Sequence, residues 1–164
     1  MSKVVVRGPS LGEIAKTVTT EVQHQMESRS YRAANELRNS ALMVLRGQRS
    51  GRRYKVPGTH RRQRDKVTGK MRNGRYYTAS APGEPPAVRT GNFRASWKPE
   101  AHVVMGSYIS RITSDIRTEN GKYILGELLE EGTPKMEPRP HHDRIREHAE
   151  PKIFKIYDEP YFNE

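Results

Sequence analysis

The sequence contains no cysteine, which excludes disulfide bonds, thiolate–metal centres and cysteine nucleophiles. Apolar residues are also few, because only 33% of the 164 residues are hydrophobic while 30% are charged. The apolar run near the start, residues 4–6, is three residues long. A membrane-spanning helix needs roughly 20 apolar residues and a secretion signal about 7–15. We therefore expect a soluble protein of a reducing cytoplasm, with a small core and no membrane contact.

Short motifs of common enzyme classes are missing as well. The chain has no glycine-rich dinucleotide loop, no P-loop, no GxSxG sequence and no HExxH sequence. Some carboxylates are close enough in sequence to form a pair for acid–base or Mg²⁺ chemistry, but their spacing is unremarkable and we interpret them as solvated surface charges. They are Asp115, Glu119, Glu127, Glu130 and Glu131. We therefore expect no catalytic residues, no cofactor and no enzymatic activity.

A histidine-rich stretch is the candidate for metal chemistry. His141, His142 and Asp143 are followed by Glu147 and His148, and all of these residue types bind metals. Arginines stand among them, and neighbouring cations oppose the binding of a dication. We interpret these histidines as surface residues at the start of a helix and expect no metal site.

The positive charge is concentrated in one segment. The net charge is +11, and residues 46–75 carry all of it, with twelve basic residues and one acid, leaving eighteen of each elsewhere. A segment with so many like charges has little to bury, so we expect a mobile arm that becomes ordered against a partner. The candidate partner-contacting or DNA-contacting residues are Arg49, Arg52, Arg53, Lys55, Arg61, Arg62, Arg64, Lys66, Lys70, Arg72 and Arg75.

Hydrophobic periodicity predicts a long N-terminal helix. Ser10 and Glu13 form a capping-box pattern, and apolar residues recur every three or four positions until Leu45, before Gly47 ends the helix. Such a helix is longer than a small domain is wide. Part of it must therefore project, kink near residues 27–32, or lie against another subunit. We expect its apolar stripe to pack on the chain's own sheet.

Strand patterns follow the helix. Residues 53–56 and 74–79 are compatible with a β-ribbon that turns at Asn73-Gly74. Residues 101–105 and 108–117 alternate with the strand period of two and predict an antiparallel pair.

Further along the chain, the patterns complete the predicted fold. Residues 123–131 predict a short helix or strand, and residues 141–157 predict a final helix that Pro151 kinks or interrupts. We thus predict one α+β domain over residues 1–164. Its parts are a long N-terminal helix packed on a small antiparallel sheet, an extended basic β-ribbon or loop arm at about 46–79, a proline-rich segment at 80–91, and a C-terminal helix.

Two stretches resemble sequence blocks of a family of tailed-phage proteins. Residues 80–96, which contain GEPP and TGNFRAS, resemble the "GEPP…TGxLRxS" block of minor tail, neck and tail-completion proteins, also called phage morphogenesis proteins. Residues 129–140 resemble the second block, in which "EFGT" precedes "KMxxRPF". The matching positions are Gly83, Glu84, Pro85, Pro86, Thr90, Gly91, Gly132, Thr133, Lys135, Met136, Arg139 and Pro140. The chain departs from the family at Glu131 and at His141-His142, where Phe and Phe-Leu are usual, and in its longer basic stretch.

The resemblance implies a structural virion protein at the head–tail junction or upper tail, made in the cytoplasm of the host bacterium. It would assemble with itself as a ring around the DNA channel, a hexamer in preference to a dodecamer. Its other partners would be the connector or head-completion proteins and the tail proteins. Its place in the neck stack stays open. We favour docking of the arm on neighbouring protein over contact with channel DNA, because several such arms would grip DNA and oppose its sliding.

Two other function classes remain open from the residues alone. The basic arm is interleaved with tyrosines at positions 54, 76 and 77, a composition that binds nucleic acid without sequence preference through phosphate contacts and stacking. A small Mg²⁺-dependent nuclease using the scattered carboxylates is the third class, and we expect no such cleavage.

Overall fold

The computed structural model describes residues 8–56, 63–64, 67–69, 71–72 and 75–162. Four helices and three antiparallel strand pairs occur in this part of the chain, which gives an α+β fold. In chain order the elements are α1 Leu11–Arg46, β1 Arg53–Lys55, β2 Gln63–Arg64, β3 Met71–Arg72, β4 Tyr76–Thr78, α2 Asn92–Ala95, β5 Lys98–Val104, β6 Ser107–Thr113, α3 Leu125–Glu131 and α4 His142–Tyr157.

The helix α1 is continuous over 36 residues, or about 54 Å. The predicted capping box is confirmed, because Ser10 Oγ accepts from the Glu13 amide while the Glu13 carboxylate accepts from the Ser10 amide. The sequence suggested three ways to accommodate a helix of this length. In this chain its N-terminal end projects from the fold, because every residue from 11 to 20 is exposed. The helix is not broken near residues 27–32.

The C-terminal half of α1 carries the core. Ala33, Ala34, Ala41 and Leu45 are buried, and this half packs against α4 and against the strands β5 and β6. The predicted packing of the apolar stripe on the sheet is therefore confirmed for this half. At the other end, the stripe of Leu11, Ile14 and Val18 is exposed.

The core is small, as the composition predicts. Leu45, Trp97 and Ile145 form its centre with Ala41, and Val44, Phe93 and Ile112 pack around them. A core of this size leaves little margin for the loss of any one large side chain.

The helix α4 runs through Pro151, so of the two predicted effects of this proline, a kink or an interruption, the interruption is wrong. Proline removes one backbone hydrogen bond, but contacts on both sides of it hold the helix to α1. Ile145 and Ala149 are buried before the proline, and Lys152 Nζ donates to Glu36 of α1 at 2.5 Å after it. Tertiary packing therefore outweighs the local preference.

The strands β5 and β6 form a hairpin in which Lys98 pairs with Thr113 and Val104 with Ser107. Met105 and Gly106 connect them with φ of 49° and 78°, the left-handed values that a tight two-residue hairpin turn requires. The predicted pair is confirmed, although the second strand ends at Thr113 rather than at residue 117. The segment 123–131, left open between helix and strand, is the helix α3.

The basic segment contains the predicted β-ribbon. The strands β1 and β4 are antiparallel with Tyr54 opposite Tyr77, and β2 pairs with β3. The Asn73-Gly74 turn signal lies outside the described residues. None of the helices in the described residues has the length and apolarity to cross a membrane.

Candidate assembly site at the base of the basic arm

The two motif blocks of the sequence lie against each other in the structure. The Gly83 amide donates to the Pro138 carbonyl oxygen at 3.4 Å, and Arg139 Nη1 donates to the Ser80 carbonyl oxygen at 2.7 Å. Arg144 of α4 adds a hydrogen bond from Nη2 to the Gly83 carbonyl oxygen at 3.1 Å. The blocks thus form one surface at the foot of the ribbon. We call residues 49–52 and 79–86 the arm base.

Glu84 fastens the arm to the first motif block. Its carboxylate accepts from Ser50 Oγ at 2.7 Å, from the Ala81 amide at 2.9 Å and from the Ser50 amide at 3.1 Å. These hydrogen bonds, that of the Ser50 hydroxyl first, lower the pKa of Glu84 from 4.5 to about 2. Because Ser50 precedes β1 and Ala81 follows β4, one carboxylate ties both ends of the ribbon together.

Arg49 faces the interior of the arm base. Its Nη2 donates to the Val44 carbonyl oxygen at 2.9 Å and to the Pro86 carbonyl oxygen at 3.2 Å. Burial of the guanidinium lowers the pKa of Arg49. The sequence groups Arg49 with the partner-contacting residues, whereas the structure engages it at the C-terminal end of α1, where it satisfies a helix carbonyl.

Gly51 occupies the closest approach of the two sides of the ribbon. Its amide donates to the Ala79 carbonyl oxygen at 3.0 Å. A Cβ atom on residue 51 would lie 2.6 Å from that oxygen and 2.9 Å from the Ser80 carbonyl oxygen, both of them backbone atoms. A side chain here would therefore force the strands apart.

The second motif block is a tight turn that begins at a glycine. Gly132 ends α3 with φ 79° and ψ −172°, a conformation open to glycine alone. Thr133 and Met136 then exchange backbone hydrogen bonds of 2.8 and 3.0 Å. This turn returns the chain to the arm base, where Arg139 binds Ser80.

The other motif positions are divided between interior and surface. Pro85 and Pro86 are buried, and Ser80 Oγ donates to the Pro85 carbonyl oxygen at 2.6 Å. Gly91 precedes α2 with φ 92°. The exposed positions are Thr90 and Lys135, and Pro140 is half-buried.

An aromatic group fixes the first block to the core. Phe93 of α2 contacts Trp97 edge-on with ring centroids 5.7 Å apart, and it contacts His141 edge-on at 5.5 Å. Trp97 and His141 are 5.9 Å apart. The first motif block, the hairpin and the start of α4 therefore share one small aromatic cluster.

The interpretation of His141 as a surface residue is wrong. Its side chain is fully buried, with Nδ1 2.7 Å from Glu130 Oε2 and 3.1 Å from the Arg139 carbonyl oxygen. Burial lowers the pKa of His141 in spite of the hydrogen bond to the Arg139 carbonyl and the charge of Glu130, which raise it. The reason for burial is the aromatic cluster, which lies far away in sequence. His142 and His148 are exposed, as expected.

Glu130 is also not the solvated charge that its spacing predicts. Its Oε2 accepts from the backbone amides of His141 at 2.9 Å and His142 at 3.3 Å. The carboxylate thus takes the place of an N-cap side chain for α4. The other carboxylates of that prediction are exposed: Asp115, Glu119, Glu127 and Glu131.

The described cations of the ribbon are displayed on its surface beside tyrosines. Arg52, Arg53, Lys55 and Arg75 are exposed. The Arg53 guanidinium lies 4.8 Å from the centre of the Tyr76 ring, and Arg52 lies 5.7 Å from that of Tyr54. The backbones of Arg64 and Arg72 belong to β2 and β3. Four further predicted contacts lie outside the described residues: Arg61, Arg62, Lys66 and Lys70.

Among the exposed apolar side chains of the described residues, two groups lie at projecting ends of the fold. The hairpin tip presents Val103, Val104 and Met105, and Met105 is fully exposed. Met105 also has the positive φ that non-glycine residues rarely adopt. The second group lies at the projecting end of α1, where Leu11 is 86% exposed. Adjacent apolar side chains in the open are typical of surfaces that become buried against a partner.

Sequence reasoning missed two contributors to the site, Ser50 and Glu130. Neither has a local signal, since Ser50 lies in a polar stretch and Glu130 caps a helix that begins 12 residues later. Capping patterns can be recognised at short spacing only, as at Ser10 and Glu13.

Comparison with known proteins gives no relatives: no protein-family model, curated protein or solved structure matches the chain. The function of the site is therefore inferred from its geometry, its charge and the resemblance of its two sequence blocks.

Proposed function

We propose that the chain is a structural, non-catalytic subunit of the head–tail junction of a tailed phage, which assembles as a ring around the DNA channel. The observation that carries the proposal is the meeting of the two resembling blocks at the arm base. One matched residue of each block binds the backbone of the other block there, Gly83 to the Pro138 carbonyl oxygen and Arg139 to the Ser80 carbonyl oxygen. A motif pair that builds one surface is better explained by a shared role than by chance similarity.

The exposed apolar surfaces support self-assembly. In a cyclic ring each subunit presents one surface to one neighbour and a different surface to the other. The hairpin tip at residues 103–105 and the helix stripe at Leu11, Ile14 and Val18 are two such separate surfaces. We assign the hairpin tip of one copy to the projecting end of α1 of the next copy.

The arm base supports the role of the arm. Glu84, Gly51 and Arg49 hold the start of the ribbon rigidly, while Arg52, Arg53 and Lys55 are exposed just beyond. A ribbon anchored at its foot and charged along its length is suited to docking on an acidic surface of a neighbouring ring.

Deletion of the gene from the phage that encodes it tests this function. Negative-stain images of the lysate should contain separate heads and tails, or tails of faulty length, and a wild-type copy supplied in trans should restore joined virions. A copy that carries Met105→Glu should fail to restore them, whereas the matched change Met43→Glu, at an exposed methionine of α1, should succeed. Normal virions from the deletion strain would contradict the proposal.

Nonspecific nucleic-acid binding is the second candidate, favoured by the cation–tyrosine pairs of the ribbon. If it holds, DNA affinity falls steeply with salt, by about 0.9 in the log–log slope for each phosphate neutralised. Replacing Arg52, Arg53 and Lys55 with glutamine should then flatten the slope. The control replaces the exposed Lys16, Lys98 and Lys155, which should leave the slope unchanged. Equal slopes for both variants would exclude an arm-based DNA interaction.

A further inference from the structure

A compact group of metal-binding side chains lies at the start of α4. Glu130 comes from the end of α3, His141 is the N-cap residue of α4, and His142 is its first residue. One ligand atom from each lies within 4.8 Å of the others. His141 Nδ1 and His142 Nδ1 are 2.7 and 3.7 Å from Glu130 Oε2.

We propose that Glu130, His141 and His142 bind a divalent transition-metal ion, with Zn²⁺ as the ion of choice. Two imidazoles and one carboxylate are a ligand set that zinc takes in proteins. With bonds of about 2.0 Å, ligand atoms of a tetrahedral zinc site lie about 3.3 Å apart, between the two distances given above. Small shifts of the His142 and Glu130 side chains, which are 53% and 23% exposed, would complete the site.

The surroundings of the group permit a dication. Of the arginines nearby, which the sequence suggested would repel a metal, Arg146 is paired with Asp143. Arg139 and Arg144 keep their charge and direct their guanidinium groups to the Ser80 and Gly83 carbonyl oxygens. The Arg139 carbonyl oxygen lies 3.1 Å from His141 Nδ1 and adds negative potential. The side chain of His142 is 53% exposed, so a water molecule can occupy the fourth position.

The position of the site gives it a structural role. Its ligands come from both sides of the segment 132–140, which makes up most of the second motif block. A bound ion would close this segment into a loop between α3 and α4. With the ion on His141 Nδ1, a neutral ring would carry its one proton on Nε2, whereas an imidazolium ring would release one proton as the ion binds. This site is independent of the proposed function.

Titration of the full-length, chelator-treated protein with Zn²⁺ by calorimetry tests the site. We expect one ion per chain with an affinity in the micromolar range or tighter. His142→Ala should weaken binding by about tenfold or more, as the loss of a ligand does. The His142 ring lies 6.1 Å from the Trp97 ring and 4.5 Å from the His141 ring, so circular dichroism must first show that the variant keeps the fold.

His102→Ala is the matched control, because His102 is another exposed histidine beside a carboxylate, Glu100. This variant should bind zinc as the wild type does. In ¹H–¹⁵N spectra of the imidazoles, zinc should shift the Nδ1 signals of His141 and His142. Absence of binding, equal loss in both variants, or shifts confined to other histidines would overturn the proposal.

Discussion

At the scale of single residues, a buried arginine holds the C-terminal segment. Arg29 is 1% exposed, and it donates from Nη1 to the Tyr157 carbonyl oxygen at 3.1 Å and from Nη2 to the Pro160 carbonyl oxygen at 2.7 Å. The Tyr161 ring lies 4.0 Å from its guanidinium carbon. One turn of chain after α4 is thereby fixed to α1, although no sequence pattern pairs residue 29 with residue 157.

Arg29→Met should therefore destabilise the chain strongly. It leaves two carbonyl oxygens without their donor, and each such loss costs about 1–3 kcal/mol, so we expect the free energy of unfolding to fall by about 3 kcal/mol. Arg32→Met is the control, because Arg32 binds Glu159 at the exposed surface and such pairs contribute about 1 kcal/mol or less. Urea unfolding measures the free energy of unfolding of both variants. Equal losses would contradict a special role of the buried Arg29.

A second residue-scale prediction concerns Glu84 and pH. Since the folded-state pKa of Glu84 is about 2 against an ordinary value of 4.5, its ionised form favours the folded state. This contribution is fully present above pH 4.5 and is lost as the pH falls through about 2. Glu84→Gln should thus lower the melting temperature at neutral pH, with the difference from wild type closing in acid. The same change at the exposed Glu137 should have no such pH dependence; a constant gap for Glu84→Gln would contradict the assignment.

At the scale of elements, the sequence predicted the features that depend on neighbouring residues, and it missed features that depend on contacts between distant residues. The capping box, the periodic stripe of α1, the ribbon of β1 with β4, and the β5–β6 hairpin all follow from neighbouring residues, and all are confirmed. The continuity of α4 through Pro151 and the burial of His141 depend on packing against α1 and Trp97. Spacing along the chain does not encode such contacts, so the sequence could not predict them.

The two halves of α1 should differ in amide hydrogen exchange. Residues 29–45 include the buried face of α1, whereas residues 11–20 are exposed throughout. A helix end without tertiary contacts opens at little cost in free energy. In a dissociated subunit, amides 15–24 should exchange much faster than amides 33–45. The proposed assembly should slow the exchange of amides 15–24. Mass spectrometry after deuterium labelling measures both exchange rates. Equally slow exchange of the two groups of amides in a lone subunit would contradict a projecting N-terminal end of α1.

At the scale of the whole molecule, the proposed assembly would bury surface that the described residues leave exposed. The core of the chain is small, one end of its longest helix is bare, and its hairpin ends in exposed apolar residues. The candidate site could be predicted as two sequence blocks, but their contact through Arg139 and Ser80 could not, because the two residues are 59 positions apart.

The mass of the full-length protein in solution, measured by native mass spectrometry over a range of concentrations, tests the central claim that copies of this chain complete one another. We predict a discrete closed oligomer, a hexamer in preference to a dodecamer. Met105→Glu should shift it to smaller species and Met43→Glu should not. A monomer at every concentration up to the solubility limit would contradict the account.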